Sequence, residues 1–168
     1  FIKDQEIDYV VGVDVGGDVL ATGDEEGLAS PLADSIMLNV LKILEAKCLT
    51  HLGVLGYGSD GELKINEINK CMAIASSKKG LVGSVGLSVD AYKTMKKIIK
   101  KVETDASRIP LLSFEGSYGN HHIRRGRIQV EVHPMSQITF LFKPTVVFKN
   151  LSKPSQLISK SKSFYESN

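Results

Sequence analysis

The stretch "YVVGVDVGGDVLATGDEEGLASPLADS", Tyr9 to Ser35, decides the reading of the chain. Val10, Val11, Val13 and Val15 make Ile7 to Val15 almost continuously apolar. Such a run predicts a strand of a parallel sheet, covered on both faces. Gly16 and Gly17 follow at once, and glycine permits positive φ and close backbone approach. Ser30-Pro31 is a strong helix start, a hydroxyl at the N-cap and proline at the first helical position. Leu32, Ile36, Met37, Val40, Leu41 and Leu44 then recur at helical spacing to about Lys47. Between strand end and first helical turn lie six acidic residues: Asp14, Asp18, Asp24, Glu25, Glu26 and Asp34.

The same alternation continues outward. Leu49 to Leu55 predicts a second strand and Glu62 to about Ser77 a second helix. Leu81 to Leu87 follows as a glycine-containing strand, and Asp90 to Val102 as a helix burying Tyr92, Met95, Ile98, Ile99 and Val102. Strands alternating with helices imply a parallel sheet with helical crossovers. After Pro110 the period changes to two. Arg127 to His133 and Ile138 to Phe142 each alternate, which predicts an antiparallel hairpin joined through "PMSQ". The expectation is an α/β fold: a Rossmann-like, mostly parallel sheet with flanking helices and a C-terminal antiparallel hairpin. Residues 1–150 form its single domain, and 151–168 a polar Ser/Lys-rich tail with a short helix.

At 168 residues and 42% hydrophobic, the chain can bury a core of that size. It contains no apolar run of membrane-spanning length. Cys48 and Cys71 fall on apolar helix faces and read as reduced core thiols, which points to the cytoplasm. Phe1 stands where methionine would, and the strand follows almost at once, so the chain is read as lacking an N-terminal part. Net charge is +2, yet residues 1–34 hold nine acidic side chains and one basic, leaving ten acidic and twenty basic beyond them. Opposite charges meeting across a folded surface account for most of this. The acids flanking the glycines suggest instead a pocket for a cation.

In open α/β sheets, ligands bind outside the carboxyl ends of the strands, where Asp14 lies. Gly16, Gly17 and Asp18 would line such a site, and the amides after Ser30 could receive an anion. Asp14, Asp18, Asp24, Glu25 and Asp34 offer the hard oxygen ligands that Mg²⁺ accepts, with Asp18 and Asp24 the leading candidates. Asp14 or Asp18 would be the metal ligand or general base. The plainer alternative is a tight turn, a solvated acidic loop, and Asp34 complementing a helix dipole.

Three further stretches bear on this. "GYGSDG", Gly56 to Gly61, matches G-x-G-x-x-G after a strand, but no acidic residue stands about twenty positions on for a ribose. It reads better as a loop, with Gly56, Gly58 and Asp60, shaping the same cleft as Asp14. In "GSYGNHHIRRGRIQVEVH", His122 and Arg124 are candidates to bind a phosphate or carboxylate, against a solvated hairpin edge as the alternative. Lys93, Lys96, Lys97, Lys100 and Lys101 read as the wet face of an amphipathic helix. With no aromatic residues interleaved, nucleic acid is not the expected partner.

The blocks "GVDVGGDVLATGDEEGLASPLADSIML", "GYGSDGEL" and "ASRIPLLSFEGSYGNHHIRRGRIQVEVHPMSQITFLFKP" resemble the archaeal and bacterial domain-of-unknown-function family 1152. The likeness runs from about Asp8 to Pro144 and corresponds to the second part of family members, which carry a further glycine-rich strand and loop upstream. It implies a fold and motif positions, and no reaction. The leading expectation is a domain that binds a small anionic metabolite or nucleotide, with Mg²⁺ as the candidate cofactor, in group transfer or hydrolysis. The rival is a non-catalytic protein- or RNA-interaction module or a homo-oligomer subunit.

Overall fold

A computed structural model describes residues 5–166, with side chains to 161. Six strands and six helices follow in the order β1 (Tyr9–Val15), α1 (Pro31–Leu44), β2 (Leu49–Leu55), α2 (Ile65–Ser77), β3 (Leu81–Gly86), α3 (Val89–Ile98), α4 (Arg108–Phe114), β4 (Gly119–Ile123), β5 (Ile128–Val132), β6 (Ile138–Phe142), α5 (Pro144–Asn150) and α6 (Lys153–Glu166). The main sheet has the order β1-β2-β6-β3. β1 and β2 pair in parallel from Tyr9↔Leu49 to Val15↔Leu55, whereas β6 is antiparallel to both β2 and β3. The fold is therefore α/β, but its sheet is mixed instead of mostly parallel.

The expected C-terminal hairpin is corrected in the same way. β5 pairs with β4, from Gly119↔Val132 to Ile123↔Ile128, and not with β6. "PMSQ" is no hairpin loop: Pro134–Gln137 is a 3₁₀ turn that carries the chain away from the hairpin. β6 then enters the main sheet, where Phe140 and Phe142 bury among the helices. Leu52 and Val54 of β2 meet the same core, with Leu38 and Leu41 of α1, Ile68, Cys71 and Ala75 of α2, and Val147 of α5. Gly12 marks where α1 comes closest, since a Cβ there would stand 2.7 Å from Leu41 Cδ1.

β1 is not covered on both faces. Val10 packs against the helical core, but Tyr9, Val11 and Val13, with Leu49 beside them, remain exposed on the other face. The helix after β3 ends at Ile98 and has no buried residue; Ile98 and Val102 are exposed, and Tyr92 stacks on Phe114 of α4 at 4.7 Å. α2 begins at Ile65, later than expected, and releases Glu62 for another role. The C-terminal helix packs on α1, with Ser152 and Ser155 buried and Asn39 Nδ2 donating to the Ser155 carbonyl at 2.9 Å.

Candidate functional site

The carboxyl end of β1 lies at the junction of two glycine loops. The Gly16 amide donates to the Leu55 carbonyl (2.9 Å), and the Gly58 amide donates to the Gly16 carbonyl (2.7 Å). Gly16 and Gly17 hold φ of 140° and 112°, in the region that L side chains rarely adopt. A Cβ on Gly16 would fall 1.8 Å from Asp60 Oδ2. That absence of a side chain lets Asp60 sit directly beside the end of β1. Gly17 then turns the chain into a 3₁₀ turn, Asp18–Leu20, which buries Asp18.

The result is a set of converging carboxylates. Asp14, Asp18 and Asp34 each bring one oxygen within 4.8 Å of the others, and Asp14 and Asp18 are only 5% and 7% exposed. Asp14 Oδ2 accepts from the amides of Gly17 (3.0 Å) and Val19 (3.3 Å), while Asp60 Oδ1 accepts from the Glu62 amide (2.9 Å). Burial pushes the Asp14 carboxyl up to about 7, reinforced by the charges of Asp34 and Asp60 and opposed by its two amide donors. Burial, then Asp14, Asp60 and Asp34, push Asp18 up to about 10. Asp34 and Asp60 are also raised, chiefly by burial. Carboxylates this close cannot all ionise unless a cation joins them, so at neutral pH the empty cluster retains a proton.

Beside the cluster, the start of α1 is already filled. Glu62 Oε2 accepts from the amides of Ala29 (2.9 Å) and Ser30 (3.0 Å), and Oε1 from the Ser30 hydroxyl (2.6 Å). Arg124 Nη2 donates to Oε1 at 3.3 Å. Burial alone would raise Glu62; the hydroxyl, the amides and Arg124 outweigh it and hold the carboxyl below its usual range. The anion expected over Ser30 is thus the protein's own carboxylate. Glu62 was hidden in the sequence, where it reads as the first residue of α2.

Of the residues singled out in the sequence, Asp14, Gly16, Gly17, Asp18, Gly56, Gly58 and Asp60 come together at this strand end. Ser30 and Arg124 join its rim through Glu62. Asp24 does not join the three clustered aspartates and instead pairs with Lys153. Glu25 closes its own turn on Thr22 and Gly23. His122 is exposed on β4, paired in register with Gln129. Asp34, on the first turn of α1, joins Asp14 and Asp18 in the cluster where Asp24 does not. "GYGSDG" does not open straight into a helix: Glu62, Leu63 and Lys64 intervene before α2, and Gly58 is bonded to Gly16. That is not the arrangement in which a helix start cradles a pyrophosphate.

The family model described as "Protein of unknown function (DUF1152)" matches residues 1–168. The chain belongs to the DUF1152 family. No curated protein and no solved structure matches this DUF1152 chain. Among its described residues, no helix is long and apolar enough to cross a membrane.

Proposed function

We propose that this DUF1152 chain binds a divalent cation at the carboxyl end of β1 and, with it, a small anionic metabolite or nucleotide. The observation that carries the reading is the convergence of three aspartate oxygens within 4.8 Å of one another, two on buried side chains, at a strand end built around paired glycines. Left empty, the cluster costs stability. Mg²⁺ prefers carboxylate, water and phosphate oxygens, and Asp18 and Asp34, with Asp14 beside them, would hold such an ion together with water or a ligand phosphate. Arg124, half-exposed beside Glu62 and close enough to act on Asp60, is a cation that could meet an incoming anion at the rim. A Rossmann-like role for β1, β2 and β3, with ligands received at their carboxyl ends, belongs to the same proposal. So does a cytoplasmic setting, which the free thiols of Cys48 and Cys71 fit.

If the domain is catalytic, the reaction is group transfer or hydrolysis of a phosphorylated or carboxylated substrate. Asp18 and Asp34 serve the cation, and Asp14, titrating near neutrality, serves as general base. Calorimetric titration with Mg²⁺ and Mn²⁺ in buffers of different ionisation enthalpy tests the reading. Binding should release protons, because the cation displaces the one that the cluster retains, and Asp18→Asn should lose it. A panel of nucleotides, sugar phosphates and carboxylates then identifies the anion by stabilisation in the presence of the cation. Absence of both cation binding and anion-dependent stabilisation would remove the proposal.

A further inference from the structure

The first turn of α1 carries Asp34, yet packing does little to fix it. Leu32 and Ala33 are exposed, and the first apolar side chain of the helix to be fully buried is Leu38. Ser30, at the N-cap, makes no side-chain bond back to its own helix. Its hydroxyl donates instead to Glu62 Oε1 (2.6 Å), and the Ala29 and Ser30 amides donate to Glu62 Oε2 (2.9 and 3.0 Å). The chain therefore enters α1 in the grip of a residue more than thirty positions away.

Glu62 is itself tied to the strand end. Its amide donates to Asp60 Oδ1 at 2.9 Å, and Asp60 lies against Gly16. Its carbonyl oxygen meets Gly27, where a Cβ would stand 2.4 Å away. The segment 27–30 thus closes over both the main chain and the side chain of Glu62, and only 3% of that side chain is exposed. Arg124 completes the surround at 3.3 Å, with its own amide anchored on Asp105 Oδ2 at 2.7 Å. One residue joins Asp60 to the entry of α1. Asp34 follows that entry by one turn, about 6 Å along the helix axis.

We infer that Glu62 is a positioning residue of the cation site: through Ser30 and the first turn of α1 it sets the Asp34 carboxylate beside Asp14 and Asp18. Glu62 is not among the three clustered aspartates and does not touch the ion. The role rests on the cation reading and adds to it a group that orients a ligand from behind. Removing such a group commonly costs 10–100-fold in metal affinity. Loss of a nearby negative charge would also weaken a cation. That effect, however, is indifferent to the Ser30 hydroxyl and is screened by salt, whereas positioning depends on Ser30 and acts through Asp34.

Mn²⁺ titration of the whole chain at about 0.3 M KCl, where distant charges are screened, separates the two. Calorimetry gives the affinity, and the relaxation of water protons reports how many waters the ion carries. Glu62→Gln should weaken Mn²⁺ by about 10–100-fold and raise the relaxation enhancement, because water takes the place of Asp34. Ser30→Ala, which changes no charge, should weaken it by about two- to tenfold, the worth of one hydrogen bond. In an Asp34→Asn background neither change should weaken Mn²⁺ by more than about twofold further, since residues that act as one are not additive. Circular dichroism at the titration temperature checks that each variant is folded, and Ser30→Ala decides alone if Glu62→Gln is not. Wild-type affinity in the folded variants overturns the inference, as does an undiminished loss in the Asp34→Asn background. Absence of Mn²⁺ binding by the wild type removes the cation reading itself, and this role with it, before any variant is compared.

Discussion

Asp18→Asn should stabilise the cation-free protein at pH 7.5 and leave it unchanged near pH 4. The substitution keeps the shape of the side chain and removes its charge from a position only 7% exposed. Its carboxyl is raised from 3.8 to about 10, first by burial and then by Asp14, Asp60 and Asp34. A raised carboxyl means that the native state binds more protons than the unfolded state above pH 4. Stability is then lost as pH rises, from about 4 through the folded values of Asp14 and Asp18. At pH 7.5, holding Asp18 protonated against an ordinary 3.8 costs at most about 5 kcal/mol at 1.36 kcal/mol per unit. Relaxation and the high effective dielectric of real protein sites reduce this to roughly 2 kcal/mol. For a domain of this size that corresponds to a rise in melting temperature of about 4–8 °C. Melting curves in chelator at pH 4.5 and 7.5 measure it, and the difference between variant and wild type is the quantity read. Saturating Mg²⁺ should raise wild type more at pH 7.5 than at 4.5 and should do little for the variant. A variant less stable than wild type at pH 7.5 without cation would refute the reasoning. So would an advantage that does not change with pH.

Gly16→Ala should be strongly destabilising, by about 2–4 kcal/mol, since the backbone conformation alone costs 1–3 kcal/mol and the new Cβ meets Asp60 at 1.8 Å; urea denaturation measures it. Glu62→Gln should cost about 1–3 kcal/mol, because the Ala29 and Ser30 amides, the Ser30 hydroxyl and Arg124 all lose a charged partner. Arg124→Ala should cost less than Glu62→Gln, under about 1 kcal/mol, because its side chain is half-exposed; equal losses would contradict that ranking. Raising pH should increase the apparent affinity for Mn²⁺ through about pH 7, where Asp14 deprotonates, and a pH-independent affinity would place the ion elsewhere.

The strand end was legible because its chemistry is local. Val10 to Val15 followed by Gly16-Gly17, then Ser30-Pro31, marks a strand, a tight turn and a helix start with no tertiary information. The acidic cluster followed in part: Asp14 and Asp18 flank the glycines directly. Asp34 replaces Asp24 because the first turn of α1 points back at the strand end, whereas Asp24 lies in a loop held by Lys153. Glu62 was beyond sequence reasoning, since its partners Ala29, Ser30 and Arg124 are 32 to 62 residues away. The hairpin was misassigned because alternation marks strands without naming their partners. Its signal lay in "IRRGR": Arg124, Arg125 and Gly126 all take positive φ and form the turn that joins β4 to β5. The insertion of β6 between β2 and β3 is a long-range choice, and a period of two says nothing about it.

The acidic cluster and Glu62 make opposite use of the same chemistry, and the contrast bears on which is functional. Glu62 is a buried carboxylate with two amides, a hydroxyl and a guanidinium around it, and its charge is held below the ordinary range. Such a group is structural: it closes the start of α1 and fixes the hairpin turn against the strand end. Asp18 lies close by, is nearly as buried, and has only other acids for electrostatic company. Asp14 and Asp60 accept backbone amides, so among these acids Asp18 is the one whose charge the fold leaves without a donor or a cation. On the proposed reading a ligand's positive charge would complete this set, and the two glycine loops, by lacking side chains, let Asp60 approach Gly16 beside it. Stability given up at one strand end, and recovered when a cation arrives, is the physical signature to look for.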